Sequence, residues 1–224
     1  MEDRRQLEEQ VKMLKEMQRR KARRYLRDFL PYINPKYTMK WFHREIADAV
    51  QMVFEGLEEK IMVSLPPQHG KSEIVSRDAP AWGLGIDPDL KIVLSSYSAM
   101  LAGGFNRAVQ RIMSSDEYKQ LFPDTFLNDE RLAKYRGYIC NAEMFEVVNH
   151  TGFLKTVGVG GSLTGTPADI AIIDDPVKDA MEANSPQQRD NVWDWYTTVL
   201  STRLHNKSRQ LLIMTRWHED DLAG

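Results

Sequence analysis

The segment that most constrains this chain is a Gly-Lys-Ser turn between an apolar run and a helical run. Residues 60–65 are mostly apolar, as in a buried strand, and the loop 66–70 leads into a helical run that starts at Lys71. This order is typical of a phosphate-binding loop, whose free N–H groups suit a phosphate. Lys71 can reach the β- and γ-phosphates, and the Ser72 hydroxyl can bind Mg²⁺. Leu65 replaces the usual first glycine, so the loop alone also fits an ordinary strand-to-helix turn.

A second motif is an apolar strand, residues 169–174, that ends in two carboxylates before Pro176. In open α/β sheets, ligands bind at the carboxyl ends of the strands, where these acids fall. Asp174 is predicted to hold Mg²⁺, as a Walker B aspartate does, and Asp175 to orient or deprotonate the attacking water. Alone, the motif also fits a strand ending in a polar turn. Together with the Walker A-like loop it predicts a site for ATP and Mg²⁺.

Length and composition allow one α/β domain, because 224 residues with 42% hydrophobic content can bury a sizeable core. The single cysteine, Cys140, excludes an internal disulfide and suits a reducing compartment. No apolar stretch approaches the ~18 residues of a membrane span, and no signal peptide is visible. The sequence therefore predicts a protein without membrane contact.

The amino-terminal part is predicted to be a basic helical arm, residues 1–35, ahead of an ATPase domain, residues 36–224. Residues 1–27 hold ten Lys/Arg and five Asp/Glu, a net charge of +5, and the remainder holds twenty against twenty-seven, a net charge of −7. Residues 3–30 look helical, with an apolar residue at every third or fourth position. The arm fits either contact with DNA or an acidic neighbouring subunit, or a solvated helix packed by its apolar stripe.

Alternating strands and helices predict an α/β fold with a mostly parallel central sheet flanked by helices. Helices are expected over residues 39–58, with Thr38 as cap, and over 71–82, 99–113 and 185–204; strands are expected over 60–65, 91–96, 169–174 and 210–214, with an antiparallel pair over 138–149 and 152–159.

Three further segments have two interpretations each. The glycine-rich loop 158–165 could line the nucleotide or a subunit boundary, or be a flexible connector. Thr215, at a strand tip, could sense the γ-phosphate. The acids of 218–221 could bind a metal, although their spacing favours the start of a helix. Trp41 and His43 could contact adenine, or pack into the protein core from a helix.

These motifs, in this order, resemble the ATPase domain of the large terminase subunit of tailed bacteriophages, which packages DNA into the procapsid. The resemblance covers residue 28 to the end. It rests on Trp41-Phe42-His43-Arg44, Pro66-Pro67-Gln68-His69-Gly70-Lys71-Ser72-Glu73, Ser95-Ser96-Tyr97-Ser98 with Ala102, Gly161-Ser162-Leu163-Thr164-Gly165, Ile172-Ile173-Asp174-Asp175-Pro176, and Thr215-Arg216-Trp217-His218-Glu219-Asp220-Asp221-Leu222.

The resemblance implies an additional-strand P-loop NTPase that hydrolyses ATP with Mg²⁺ and moves double-stranded DNA. It implies a homo-oligomeric ring, expected to be a pentamer, that acts with the portal protein and the small terminase subunit in the host cytoplasm. Catalytic roles fall on Lys71, Asp175 and Thr215, and metal binding on Ser72 and Asp174. Nucleotide-binding roles fall on Trp41, His43, Pro67, Gln68, His69, Gly70, Lys71, Ser72 and Glu73.

Two departures from the family pattern matter. Many relatives carry an arginine after the Thr-Gly step of the glycine-rich loop, where this chain has Thr166. Another arginine is therefore expected to act on ATP, and the candidates are Arg107, Arg111, Arg136 and Arg203. Large terminases also carry a carboxy-terminal nuclease domain. This chain is expected to lack it, and nuclease activity is not expected here.

Two other functions fit the same motifs. A helicase-like DNA translocase unrelated to capsids would share the phosphate loop, the acidic strand and the threonine tip. A nucleotide-binding switch without motor activity would need only the binding site, although the Asp174-Asp175 pair favours hydrolysis.

Overall fold

A six-stranded sheet runs through the part of the chain that the computed structural model describes, which is residues 2–128 and 137–224. Its strands are β1 (Lys60–Ser64), β2 (Lys91–Ser96), β3 (Met144–Glu146), β4 (Phe153–Gly158), β5 (Ala168–Asp174) and β6 (Leu204–Met214). Their spatial order is β1-β6-β5-β2-β4-β3. Each neighbouring pair is parallel except β3 with β4. The predicted mostly parallel sheet is confirmed.

Strand β6 lies between the strand that precedes the phosphate loop and the strand that carries the acidic pair. Ser64 of β1 pairs with Met214 of β6, and Asp174 of β5 pairs with Ile213. The three strands therefore end at one edge of the sheet, which is where ligands bind in open α/β folds. The inserted strand confirms the additional-strand arrangement.

The helices of the described residues are α1 (Glu2–Arg24), α2 (Leu26–Ile33), α3 (Trp41–Glu55), α4 (Lys71–Glu73), α5 (Ala79–Ile86), α6 (Ala99–Ser114), α7 (Asp116–Leu121), α8 (Ala180–Ala183) and α9 (Pro186–Trp195). Among them, α3 and α6 pack directly on the sheet. A π-helical turn, Ile74–Asp78, joins α4 to α5, and a second, Tyr196–Leu200, extends α9. Ser185 caps α9 as predicted, because its side chain accepts a hydrogen bond from the Gln188 N–H group.

Two helices differ from the sequence prediction. The third helix begins at Trp41 and not at residue 39, and Thr38 does not cap it. Instead the N–H group of Lys40 donates to His43 Nδ1 at 3.2 Å, which fixes the first turn from within the helix. The predicted helix over 3–30 breaks at Tyr25, whose φ of −125° and ψ of 124° are extended.

The strand predictions differ in length. Strand β3 covers three residues of the expected segment 138–149, because the chain before it turns back and Cys140 forms a β-bridge with Phe145. Strand β6 begins at Leu204, well before residue 210, because its first residue pairs with Ala168 of β5. The antiparallel pair itself is confirmed.

The arm divides into an exposed part and a packed part. The apolar stripe predicted on α1 stays exposed; its members are Leu7, Val11, Leu14 and Met17. Further along, Ala22, Leu26 and Phe29 are fully buried in the core cluster that also holds the sheet residues. In the part of the chain that the structure describes, no helix combines the length and the apolar character needed to cross a membrane.

Candidate functional site

The phosphate loop connects β1 to α4 and takes a shape that requires glycine at its last position. Gly70 has a φ of +76°, which side-chain-bearing residues rarely adopt. A Cβ atom there would lie 3.1 Å from His43 Nε2 and 3.3 Å from the Tyr37 hydroxyl. Gln68 also has a positive φ, 63°, and Pro67, Gln68 and His69 are exposed. The loop can therefore present its backbone to a ligand.

His43 supports this loop from behind. Its ring is buried, with Nδ1 accepting from the Lys40 N–H group and Nε2 3.2 Å from the His69 carbonyl oxygen. Because a carbonyl only accepts, Nε2 must carry the hydrogen, so both ring nitrogens are occupied by backbone. Trp41 is 77% exposed and contacts the Phe42 ring edge-on. The predicted contact of these two residues with adenine remains a prediction.

Lys71 links the phosphate loop to the two neighbouring strands. Its ammonium group is buried, 3.0 Å from Asp175 Oδ2 and 3.2 Å from Thr215 Oγ1. The Thr215 N–H group donates to Asp175 Oδ1 at 2.9 Å, and its hydroxyl lies 3.2 Å from the Leu65 carbonyl oxygen. The three residues predicted to be catalytic thus form one connected cluster.

The predicted metal ligands also meet. Asp174 is buried, and Ser72 Oγ donates to its Oδ1 at 3.0 Å. Ser76 Oγ donates to its Oδ2 at 2.5 Å. Burial raises the pKa of Asp174 to about 7; the charge of Asp175 adds to the rise, and Ser76, Ser72 and Lys71 oppose it. The carboxylate therefore depends on its donors to stay ionised.

A hydroxyl and a carboxylate oxygen are the hard ligands that Mg²⁺ prefers. Mg²⁺ bound with a nucleotide needs only one or two protein carboxylates, because phosphate and water supply the rest. Within the described residues there is no group of three or more His, Cys, Asp or Glu that could hold a metal ion. The pair Ser72 and Asp174 fits a nucleotide-linked Mg²⁺ better than a metal held by protein alone.

Asp175 has an unusual backbone for a non-glycine residue, with a φ of +45°. Its N–H group donates to the Ile213 carbonyl at 2.8 Å, and its own carbonyl accepts from Tyr97 N–H at 3.1 Å. Strained conformations of this kind persist where the surroundings fix them, and they cluster at functional sites. Both neighbouring strands therefore hold the carboxylate beside Lys71.

The arginines that the structure describes lie outside this cluster. Among the described arginines, none forms a hydrogen bond or ion pair with Lys71, Ser72, Asp174 or Asp175. Thr166 instead accepts a hydrogen bond from Lys155 Nζ at 3.2 Å. The candidates Arg107, Arg111 and Arg203 lie elsewhere on α6 and after α9, and Arg136 lies outside the described residues.

The segment after β6 is organised by an ion pair. Asp221 is buried and lies 2.9 Å from Arg216 Nε, and its carboxylate also accepts from the Ala223 N–H group. The glycine-rich loop is anchored as well, because Trp195 Nε1 donates to the Gly161 carbonyl at 2.8 Å. Gly160 and Gly165 have positive φ angles, which explains why glycine occupies these two positions of the loop.

Two groups near the site were missed by the sequence analysis. Ser76 contacts Asp174, and the available signal was its position four residues after Ser72, on the same helix face. Asp78 is buried, and burial raises its pKa to about 7, with Arg77 opposing the rise and Glu73 adding to it. Glu73 and Arg77 form an ion pair of 3.6 Å.

Comparison with known protein families identifies the family of this chain. The family model described as "Terminase large subunit, T4likevirus-type, N-terminal" matches residues 62–223. The chain belongs to this terminase family. No significant match was found among proteins of curated function.

A solved terminase structure agrees in fold with this terminase chain. The large terminase of bacteriophage HK97 has a TM-score of 0.56 at 15% identity, with 84% of this chain aligned. The ATPase domain of the Thermus phage P74-26 large terminase gives a TM-score of 0.42 at 15% identity, covering 80% of this chain and 70% of that one. This terminase chain spans 35% of the HK97 protein.

Proposed function

We propose that this terminase ATPase domain hydrolyses Mg-ATP through the described cluster and that hydrolysis drives double-stranded DNA into a procapsid. The observation that carries the proposal is the convergence of three strand ends. Lys71 Nζ lies 3.0 Å from Asp175, and Ser72 Oγ lies 3.0 Å from Asp174. Candidate residues for phosphate binding, metal binding and water activation therefore lie together at one edge of the sheet.

Each residue has a role in this proposal. Mg²⁺ would supply positive charge that neutralises the phosphates. Ser72 and Asp174 would hold it, and Lys71 would bind phosphate through its charged ammonium group. Asp175 would accept a proton from, or orient, the attacking water. Thr215 donates hydrogen bonds to the Asp175 carboxylate and to the Leu65 carbonyl oxygen. A movement of either residue would therefore be transmitted to the end of β6.

Family membership supports the wider assignment. A terminase large subunit would act with the portal protein and the small terminase subunit, as a homo-oligomeric ring, proposed to be a pentamer, in the host cytoplasm. It would bind double-stranded DNA as its cargo. Membership of residues 62–223 in the terminase family favours this function over a helicase-like translocase.

The proposal is tested by ATP turnover of the purified chain in Mg²⁺ and in EDTA. We expect hydrolysis that requires Mg²⁺ and that Asp175→Asn abolishes. Absence of Mg²⁺-dependent hydrolysis in the parent, at every protein concentration tried, would refute it. A DNA unwinding assay then separates the functions: a helicase-like enzyme displaces one strand of a duplex, whereas a packaging motor moves the duplex intact.

A further inference from the structure

Two serine hydroxyls, one on each side, hold the carboxylate of Asp174. Ser72 Oγ donates to Oδ1 at 3.0 Å and Ser76 Oγ donates to Oδ2 at 2.5 Å. Ser76 is fully buried, and 1% of Asp174 is exposed. Bulk water therefore has little access to the Ser76 donor, and the orientation of the carboxylate depends on the two hydroxyls.

The helix after the phosphate loop explains why both hydroxyls reach the same acid. Residues four apart in a helix lie on one face, so Ser72 and Ser76 both point toward the end of β5. Ser76 lies within the π-helical turn Ile74–Asp78. Such turns are rare and often occur at functional sites.

The two serines would have different roles when Mg²⁺ is bound. The Ser72 hydroxyl is the group expected to bind Mg²⁺ through an oxygen lone pair, so its orientation must suit the metal as well as Asp174. The Ser76 hydroxyl lies on the other carboxylate oxygen, Oδ2, and its donation does not depend on the metal.

We propose that Ser76 is a positioning residue for the magnesium site, which fixes the Asp174 carboxylate so that Oδ1 faces the metal. The inference rests on the proposed function, because it assumes that Asp174 serves Mg²⁺. Donors that orient a metal ligand from behind commonly change metal affinity 10–100-fold when they are removed. Nucleotide contacts that do not involve the metal should be unaffected.

The test is calorimetric titration of ATP into the full chain, in EDTA and over a series of Mg²⁺ concentrations. Three variants are compared with the parent: Ser76→Ala, Ser76→Thr and the control Ser95→Ala. Ser95 is also fully buried, and its hydroxyl donates to the backbone carbonyl oxygen of Ile172, two residues before the acid on β5. Ser95→Ala therefore loses a buried serine hydrogen bond that does not involve the Asp174 carboxylate.

We expect Ser76→Ala to require about 10–100 times more Mg²⁺ for the same enhancement of ATP binding, with affinity in EDTA unchanged. Ser76→Thr, which keeps the hydroxyl, should restore most of the Mg²⁺ response, and Ser95→Ala should match the parent. Should Ser76→Ala not fold, Ser76→Cys replaces it, since a thiol is of similar size and a weak donor.

Two results would overturn the inference while leaving the proposed function intact. One is a parent-like Mg²⁺ dependence in Ser76→Ala or Ser76→Cys. The other is an equal shift in Ser95→Ala, which would show a general loss of packing. A parent chain whose ATP binding does not respond to Mg²⁺ is a different result, and it refutes the proposed function together with this inference.

Discussion

Lys71 Nζ lies 3.0 Å from Asp175 Oδ2, so the lysine expected to bind phosphate is paired with the carboxylate expected to act on water. The lysine side chain is 7% exposed and the aspartate side chain 28%. We therefore expect an arriving phosphate to compete with Asp175 for the positive charge of the same ammonium group. ATP binding should then weaken this ion pair.

Lys71→Ala should weaken ATP binding by more than tenfold. A hydrogen bond to a charged group contributes ~1.5–3 kcal/mol, and the variant also leaves Asp175 without its cationic partner. Calorimetric titration with ATP measures the effect. Lys207→Ala, which removes an exposed lysine of β6, is the control for the change in net charge. Equal affinity in Lys71→Ala and the parent would contradict the assignment.

Asp175→Asn should separate binding from turnover. The amide keeps the shape of the carboxylate but loses its basicity, so hydrolysis should fall ~10²–10⁴-fold. ATP affinity should be no lower than in the parent, because the variant removes the negative charge that competes for Lys71. Single-turnover hydrolysis and ATP titration are the two measurements. Asp174→Ala is the comparison variant, and it should lose Mg²⁺-dependent binding instead.

The sequence predicted the parts of this site that depend on contiguous residues. Gly70, Lys71 and Ser72 lie in one motif, and the acidic pair ends one apolar strand, so each could be assigned a place before their contacts were known. Convergence of the strand ends follows from parallel pairing. The ion pair between Lys71 and Asp175 was not predicted, because it depends on the register of β1, β6 and β5.

The remaining features depend on contacts between distant segments. His43 reaches the His69 carbonyl across 26 positions of the chain, and Ser76 reaches Asp174 across 98. Local patterns favoured Thr38 as a cap, whereas the observed helix start is fixed by His43 and Lys40. Strand β3 is shorter than the segment predicted from the sequence, because the chain before it turns back and Cys140 forms a β-bridge with Phe145.

His43→Ala should weaken binding of ATP and GTP by the same factor. Its ring nitrogens contact backbone at Lys40 and His69, so its removal should loosen the phosphate loop and leave the choice of base unchanged. Titrations with both nucleotides give the ratio of affinities. Trp41→Ala is the matched variant on the exposed side of the same helix. A changed ATP-to-GTP ratio in His43→Ala would instead indicate direct contact with the base.

Asp78→Asn should reduce the dependence of stability on pH. Burial raises the folded-state pKa of Asp78 to about 7 from 3.8, so the folded state retains the proton over that interval. The free energy of unfolding therefore falls as pH rises from about 4 to 7, by ~1.4 kcal/mol for each pKa unit. Asp174, with a pKa raised to about 7, contributes in the same direction and remains in the variant.

Urea unfolding at pH 5, 6, 7 and 8 measures this difference. The Asn variant should lose less stability than the parent between pH 5 and pH 8. Asp48→Asn removes a half-exposed carboxylate that is paired with Arg27, and it serves as the control. Parallel curves for Asp78→Asn and the parent would show that the folded-state pKa of Asp78 is not raised, because the carboxyl would then be ionised in both states over the range.

Thr166 occupies the position where relatives are expected to carry an arginine, and its hydroxyl accepts a hydrogen bond from Lys155. Among the described arginines, none bonds to the cluster around Lys71 and Asp175. Charge that develops on the γ-phosphoryl group therefore lacks a guanidinium partner from that part of the same chain. An arginine supplied by a neighbouring subunit contributes ~10³–10⁵ in rate in other nucleotide hydrolases.

The isolated domain should accordingly hydrolyse ATP slowly, and the rate per molecule should rise with protein concentration as subunits meet. Residues 1–27 carry a net charge of +5 and the remainder −7, so added salt should suppress the rise by screening this attraction. Specific activity across a dilution series, at low and high salt, tests both points. Asp175→Asn, added to the parent at fixed parent concentration, extends the test: it cannot turn over ATP but can still donate an arginine, so it should accelerate its neighbours. A high rate that stays constant on dilution, and that the variant does not change, would place the arginine within the same chain.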